Sequence, residues 1–443
     1  MKNIELLYQN SLIPKDEIDS LKPLLVEELN QLILASKKGY EDDRASINLA
    51  FDQPNLTKIK HLINEKKKLN PKYLVLIGIG GSNLGTIAIQ EAVLGKLYNQ
   101  KNSEMKILYV DTVDTDQIND TISIIKQVLK NGDNIIVNIV SKSGGTTETI
   151  ANFQVILDLL KKYKNDYWKY IVVTTDNNSK LWNLGEEKNF DLLEIPKRVG
   201  GRFSVFSAVG LFPLGLIGLN IDSLLDGAKN TCKDCLSSDL FSNQAMISAS
   251  LIYLYFKKGV NIIDHFFFDT DFESVGKWYR QLMAESLGKQ FNKNNEQVFT
   301  GPTPTFSIGS IDLHSVGQLY LGGPFDKLIY FIKIKNNKNK ILIPNLSDYS
   351  QLVESIQGKS LDEIMSAILE GVKQAFINKK RPFLEISIED KSEYSIASFL
   401  QFKMIEIMYL GHLLNVNTFN QPNVEDYKIE TRKILKEKLE RIH

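Results

Sequence analysis

The sequence predicts an α/β protein built from two doubly wound lobes, each a parallel sheet covered by helices, with further helices before them and a helical arm after them. Three observations carry this. Short, continuous apolar runs recur between helix-length segments in two separate sets. Such runs lack the alternation of a half-exposed strand, so both faces are buried, as in a parallel sheet sandwiched by helices. Finally, 443 residues at 43% hydrophobic and 24% charged allow two or three domains with ordinary cores.

The first sixty residues read as helices separated by a loop, with Ile18, Leu21, Leu25 and Leu29 at helical spacing. They are expected to pack on the larger lobe. From Tyr73 the pattern changes to candidate strands at Tyr73 to Ile77, Ile107 to Val110, Ile135 to Val140 and Tyr170 to Thr174. A second set follows at Ile262 to Phe268, Thr305 to Ile308, Leu328 to Ile334 and Leu384 to Ile388. The expected division is residues 1–60 as N-terminal helices, 61–222 as the smaller lobe, 223–410 as the larger lobe and 411–443 as the arm. The Lys/Asn-rich stretch "IKIKNNKNKI" at 332–341 reads as a solvated hairpin or surface loop. In doubly wound sheets ligands sit beyond the carboxyl ends of the strands, so chemistry is expected in the loops there.

Charge and targeting signals narrow the function. The 53 basic residues cancel the 53 acidic ones, so no broad field favours nucleic acid or an anionic membrane, and any anion must be gripped locally. The N-terminal residues lack the basic start and apolar middle of a signal peptide. The longest nearly apolar run, Ala208 to Leu219, is interrupted by proline and glycine and is shorter than the roughly 20 residues a membrane helix needs. A cytosolic protein is expected. Cys232 and Cys235 follow a helical pattern rather than a strand, and no further pair completes a zinc set; two reduced helix cysteines are expected.

Two loops ask for an anion. "YLVLIGIGGSNLGT" from Tyr73 to Thr86 runs strand, glycine turn, helix, a junction whose backbone N–H groups and helix dipole attract negative charge. A dinucleotide cofactor is the rival reading, because Gly78 and Gly80 begin a G-x-G-x-x-G pattern, but Asn83 stands at its third glycine position. The second loop, "SKSGGTTET" from Ser141, follows another strand and gathers hydroxyls that donate to phosphate oxygens without adding charge. Helix capping alone explains one such residue per helix, not several. No Gly-Lys-Ser/Thr closes either loop, which points away from nucleotide triphosphates and toward a small phosphorylated metabolite.

Six motifs then carry a resemblance: "GIGGSNLG", "SKSGGTTET", "VGGRFSVFSAVGLFPL", "AESLGK", "DLHSVGQ" and "FNQPNVEDYK", in this order between Gly78 and Lys428. Together they resemble the glucose-6-phosphate isomerases, a family whose two lobes are sugar-isomerase (SIS) domains. The resemblance implies interconversion of an aldose and a ketose 6-phosphate through an enediolate, without cofactor or metal. It implies Glu285 as the base that moves the proton between C1 and C2, with Gln281 one helical turn before it. Arg202 is implied to stabilise the enediolate, and His314 with Lys428 to open the ring. Ser82, Ser141, Ser143 and Thr146, with Gly81 and Lys142, match the phosphate cradle, and Gln421 a substrate contact. A carboxylate shielded from water at 285 would hold its proton more tightly, as a base prefers.

The resemblance also implies a homodimer in which His314 is shared across the interface, and a sugar phosphate as the only partner class, with neither nucleic acid nor membrane. His61, His265, His412 and His443 read as structural. One departure is Asn423, where the family usually carries Gly or Ala; a left-handed backbone there would be tolerated by Asn. The alternative from another class is a non-catalytic SIS-domain regulator that binds a sugar phosphate. It would keep the cradle but has no need of Glu285, Arg202, His314 and Lys428 together.

Overall fold

Two five-stranded sheets organise the chain, and both are wound in the same order. The coordinates are a computed structural model and describe residues 3–440; His443 lies outside them. In the first sheet β2 (Pro71–Ile77), β3 (Lys106–Val110), β4 (Asn134–Val140), β5 (Ile171–Thr175) and β6 (Asp191–Glu194) lie in the order β3-β2-β4-β5-β6, all parallel. In the second, β7 (Ile262–Phe267), β10 (Thr303–Ile308), β11 (Lys327–Asn336) and β12 (Phe383–Asp390) are parallel, and β1 (Ile4–Leu7) closes the edge against β12. The order β10-β7-β11-β12-β1 repeats the winding of the first sheet, so β7 and β11 take the places of β2 and β4. A short hairpin, β8 (Lys289–Phe291) with β9 (Gln297–Thr300), stands apart.

The eight strands expected from apolar runs are all present; the central ones are buried on both sides, while β3 and β10, at the sheet edges, are buried in part. Three features correct the sequence reading. Residues 1–60 are not helices alone: Ile4–Leu7 forms β1, antiparallel to β12 with Ile4 opposite Ile388, so the second sheet is mixed rather than wholly parallel. Four residues alternating between buried and exposed are too short to register as a period. Likewise Asp191–Glu194, with only one fully buried side chain, extends the first sheet unannounced. The stretch 332–341 begins inside β11, and only its later residues form an exposed connection.

Helices cover both sheets. Helix Glu393–Leu413 is buried almost all round and packs on Ile221–Cys235, Gln244–Lys257 and Glu273–Leu287. Helix Lys22–Ala35 also lies on Glu393–Leu413, while Gln53–Lys67 lies on Ala208–Leu216. Cys232 and Cys235 are buried, unpaired thiols on their helix, and burial pushes both upward in pKa. Among the described residues no helix is long and apolar enough to cross a membrane. The two sheets' helices meet where Leu84–Leu94 crosses Glu273–Leu287, and a Cβ on Gly85 would sit 3.7 Å from Trp278 Cδ1 of that second helix.

The matching windings do not give matching loops. After β7 come Asp269 and Asp271, whose carboxylates hold Lys391 at 2.9 and 2.8 Å. Ion pairs thus occupy the place where the first sheet presents glycines and hydroxyls.

Beneath helix Glu273–Leu287 a charged network is enclosed in the larger lobe. Lys403 Nζ lies 2.8 Å from Glu406 Oε2, Tyr279 donates to Glu406 Oε1 at 2.6 Å, and neither charged side chain is exposed. His265 stacks on Tyr330 at 4.7 Å between ring centres, and neither ring nitrogen has a hydrogen-bond partner. Burial, with Lys403 adding to it, holds its pKa well below the ordinary value. Below about pH 6.5 the unfolded chain takes up a proton that the folded chain refuses, so His265 costs stability as pH falls, by at most about 1.4 kcal/mol per unit. Asp264 works the other way, because burial raises its pKa to about 6 and the folded chain gains its proton first. His265→Phe removes only the histidine contribution. The gap in melting temperature between that variant and the parent is therefore expected to widen in the variant's favour from pH 7 to pH 5; a gap independent of pH would contradict the assignment.

Candidate active site

The site is assembled around Arg202, which lies in a single 3₁₀ turn, Gly201–Phe203, and is buried. A guanidinium can be enclosed only if its donors are met, and this one has partners in all directions. Nε donates to Ser286 Oγ at 2.7 Å, and Nη1 donates to Gln421 Oε1 at 2.7 Å and Glu285 Oε2 at 3.2 Å. Nη2 donates to the carbonyls of Thr418 at 2.6 Å and Asn420 at 3.2 Å. One side chain therefore ties the helix Glu273–Leu287 to the segment that leads into the C-terminal helix Val424–Glu440. Burial pulls the guanidinium pKa down and Glu285 opposes this.

Gln281 and Glu285 stand one turn apart on the same helix, where Gln281 Nε2 donates to Glu285 Oε1 at 3.0 Å. Both oxygens of the Glu285 carboxylate are thus fixed by donors. The helix ends at Gly288, as the sequence suggests. Glu285 is not shielded from water in the way the sequence suggests: its side chain is 31% exposed beside a guanidinium that is 1% exposed. The carboxylate is the more exposed of the two, and the buried cation forms the floor beneath it.

The first glycine loop touches this floor. A Cβ on Gly81 would lie 2.2 Å from the carbonyl carbon of Gly201 and 2.6 Å from Arg202 N, distances no side chain survives. Gly80 adopts φ +60°, and a Cβ there would lie 3.0 Å from Gln281 Nε2. Gly78 presses the loop against β4, since its Cβ would sit 3.1 Å from the Val140 carbonyl oxygen. The glycines thus bring Ser82 and its loop against Arg202 on one side and the second loop on the other.

In the second loop Ser141 is buried and shares a hydrogen bond with Thr146, Oγ to Oγ1 at 3.0 Å. Ser143 is exposed and accepts from Gly145 N at 3.4 Å. Lys142 lies partly buried, its pKa lowered by burial and, more weakly, by Arg202. The capping pattern is informative. Several helices are closed by side chains, among them Asp52, Asp114, Ser179 and Asn243, whereas Lys22–Ala35 and Glu273–Leu287 are not. Leu84–Leu94 and Thr147–Tyr163, which start at the two loops, have no side-chain cap. Their hydroxyls are not spent on capping, and their first N–H groups face the loops, the arrangement that favours a bound anion.

Two expected residues stand elsewhere. His314 ends the turn Ile311–His314 after β10 and is exposed; Asp312 braces that turn by accepting from Ile308 N at 2.7 Å and from Ser315 Oγ at 2.9 Å. Lys428 lies on Val424–Glu440 and pairs with Glu425 at 2.8 Å. Among the described residues neither bonds to Arg202 or Glu285 of its own chain. Asn423 needs no left-handed backbone, contrary to the sequence reading; its Nδ2 donates to Gln290 Oε1 at 3.1 Å instead. Ser286 and Lys289 join the site without being singled out by the sequence, although both lie inside the "AESLGK" motif. No cluster of three or more His, Cys, Asp or Glu able to hold a metal gathers among the described residues.

The family model described as phosphoglucose isomerase matches residues 66–442. The chain belongs to the phosphoglucose isomerase family. The glucose-6-phosphate isomerase of Fusobacterium nucleatum is 32% identical over 439 residues, which are 97% of this chain and 94% of that protein. That of Carboxydothermus hydrogenoformans is 32% identical over 371 residues, 82% of this chain and 79% of that protein. Among solved structures, a Thermus thermophilus protein described as hypothetical aligns with TM-score 0.86 and 29% identity over 98% of this chain and 99% of its own. A glucose-6-phosphate isomerase from Chlamydia trachomatis shares the fold, with TM-score 0.80 at 20% identity over 98% of this chain and 89% of its own.

The close approach of Gly81 to Gly201 and Arg202 makes the first glycine loop testable as part of an anion site. Gly81→Ala is expected to weaken binding of a sugar 6-phosphate by about tenfold or more, read by isothermal titration, because the loop must retreat from Arg202. Unchanged affinity would mean that the two loops act independently.

Proposed function

We propose that this protein interconverts glucose 6-phosphate and fructose 6-phosphate. The observation that carries the reading is the Arg202–Glu285–Gln281 arrangement, set against two uncapped, hydroxyl-bearing loops. It joins a fixed cation, a carboxylate open to the substrate and an anion cradle.

In this reading Ser82, Ser141, Ser143 and Thr146, with the N–H groups of Gly81 and Lys142, hold the phosphate, whose binding energy positions the far end of the sugar. Ring opening requires a proton to reach the ring oxygen and another to leave the anomeric hydroxyl; His314 and Lys428 serve these transfers. Glu285, as carboxylate, takes the proton from C2 of the open-chain aldose. The electron pair moves into the C1–C2 bond as the C1 carbonyl oxygen becomes an oxyanion; the C2 hydroxyl then passes its proton to the C1 oxygen, the C2 carbonyl forms, and the C1–C2 electron pair takes the proton back from Glu285 at C1. Arg202 faces that oxyanion with a charge that persists at any working pH, so it stabilises without protonating. Gln281 keeps the carboxylate aimed, and Gln421 contacts the substrate while bonded to Arg202. No step calls for a cofactor, a nucleic acid or a membrane, and the reaction is assigned to the cytosol.

A regulator that merely bound a sugar phosphate would gain nothing from burying a guanidinium behind an exposed carboxylate. A homodimer belongs to the proposal, with His314 supplied by one subunit to the site of the other. It is supported by the exposure of His314 and of the apolar side chains Ile311, Leu319 and Phe325 in the same stretch of chain, and of Tyr427, Ile429 and Ile434 on the C-terminal helix.

Glu285→Gln is expected to lower kcat by about 10³-fold while the phosphate end still binds, in an assay coupling glucose 6-phosphate formation to NADPH production. Activity within a few fold of the parent would remove Glu285 from the base role. Mixing inactive Glu285→Gln and His314→Ala proteins, after dissociation and reassociation, is expected to restore about a quarter of parental activity, since half the dimers carry one intact site. No recovery would place His314 and Glu285 in sites of the same chain.

A further inference from the structure

Lys289 lies directly after the Glu285 helix and touches no position at which the substrate is expected, yet its amine is buried at the seam of the site. Lys289 Nζ donates to the main-chain carbonyl of Glu285 at 2.6 Å and to that of Asn420 at 2.5 Å. The first carbonyl belongs to the last turn of the helix, where an ammonium satisfies an orphan acceptor and complements the helix dipole. The second is the same carbonyl that Arg202 Nη2 approaches at 3.2 Å. Lys289 and Arg202 therefore share one acceptor, and between them they hold residues 418–421 onto the end of the helix. Gln421, which accepts from Arg202, and the start of the helix bearing Lys428 both follow from that loop.

We propose that Lys289 is a positioning residue whose ammonium latches the 418–421 loop to the Glu285 helix, and that release of this latch sets an alkaline limit to catalysis. The inference rests on the site assigned above. Its charge state is what makes the latch sensitive. Burial, with Arg202 adding to it and Glu285 opposing, lowers the Lys289 pKa to about 7. The other faces bring no further charge to the amine: the loop offers carbonyls, and Thr300 stands opposite in the hairpin. A neutral amine still carries two N–H donors but loses charge assistance, which roughly halves such bonds. The latch is therefore tight below about pH 7 and loosens above it.

Two measurements test this, one with turnover and one without. Peptides covering residues 418–424 of the unmodified protein are followed by hydrogen exchange at pH 6 and pH 9, with rates corrected for intrinsic chemistry. Protection is expected to fall by about tenfold or more at the higher pH. Equal protection at both values overturns the latch whether or not the catalytic assignment holds. In the coupled assay kcat/KM of the parent is expected to decline as pH rises through about 7, whereas Lys289→Met is slower at every pH and shows no such decline. A decline that persists in Lys289→Met overturns the alkaline role. Should that variant fail to fold, Lys289→Arg, which keeps its charge, is read the same way: exchange protection at pH 9 equal to that at pH 6 supports the latch, and loss like the parent's contradicts it.

Discussion

Everything at this site depends on enclosing one guanidinium. Arg202 is taken out of water, and the cost of doing so is offset only because five donor contacts reach two separate segments: Glu285 and Ser286 on one helix, and the Gln421 side chain with the carbonyls of Thr418 and Asn420 in one loop. Removing any segment leaves a buried charge short of partners, so the cation dictates that the helix, the C-terminal loop and the Gly201 turn stay together. The glycines at 81 and 201 are the second half of the same constraint. They let the phosphate loop approach a backbone that any side chain would hold away.

The duplicated winding explains where this chemistry sits. Both sheets reverse strand order at the same relative place, and both could offer a ligand crevice there. Among the described residues, only the smaller lobe combines glycines, hydroxyls not used as helix caps and two helix starts without a side-chain cap at that point. The larger lobe fills it with Asp269, Asp271 and Lys391, and contributes instead the helix carrying Gln281 and Glu285. In the proposed reading one lobe grips and the other reacts. The buried Tyr279–Glu406–Lys403 network lies under that same helix and bonds to it six residues before Glu285, so Glu285 is carried on an element anchored from below.

How much of this was legible in the sequence follows from the range of the interactions. Strands buried on both faces announce themselves by composition, and the glycine and hydroxyl loops by local order. Four-residue edge strands such as Ile4–Leu7 do not, since their pairing partner is hundreds of residues away. Arg202 and Glu285 were legible through motifs, but the fan of bonds around Arg202 was not, because Gln421 and Asn420 reach it only in the folded chain. Lys289 stays hidden for the same reason: its burial is created by Asn420 and by the hairpin it begins, neither of which a local pattern reveals. Asn423 shows the converse error, a backbone role inferred from residue type where a side-chain bond to Gln290 is what the fold uses.

The central claim is that Arg202 acts through its fixed fork of donors and not through positive charge alone. Arg202→Lys keeps the charge and loses the fork, so steady-state kinetics of that variant with fructose 6-phosphate test the claim most directly. The account predicts a fall in kcat of about 10²-fold or more, with KM changing much less, because the lost interaction belongs to the enediolate. A kcat within about threefold of the parent would contradict it, and would leave charge near the carboxylate as sufficient.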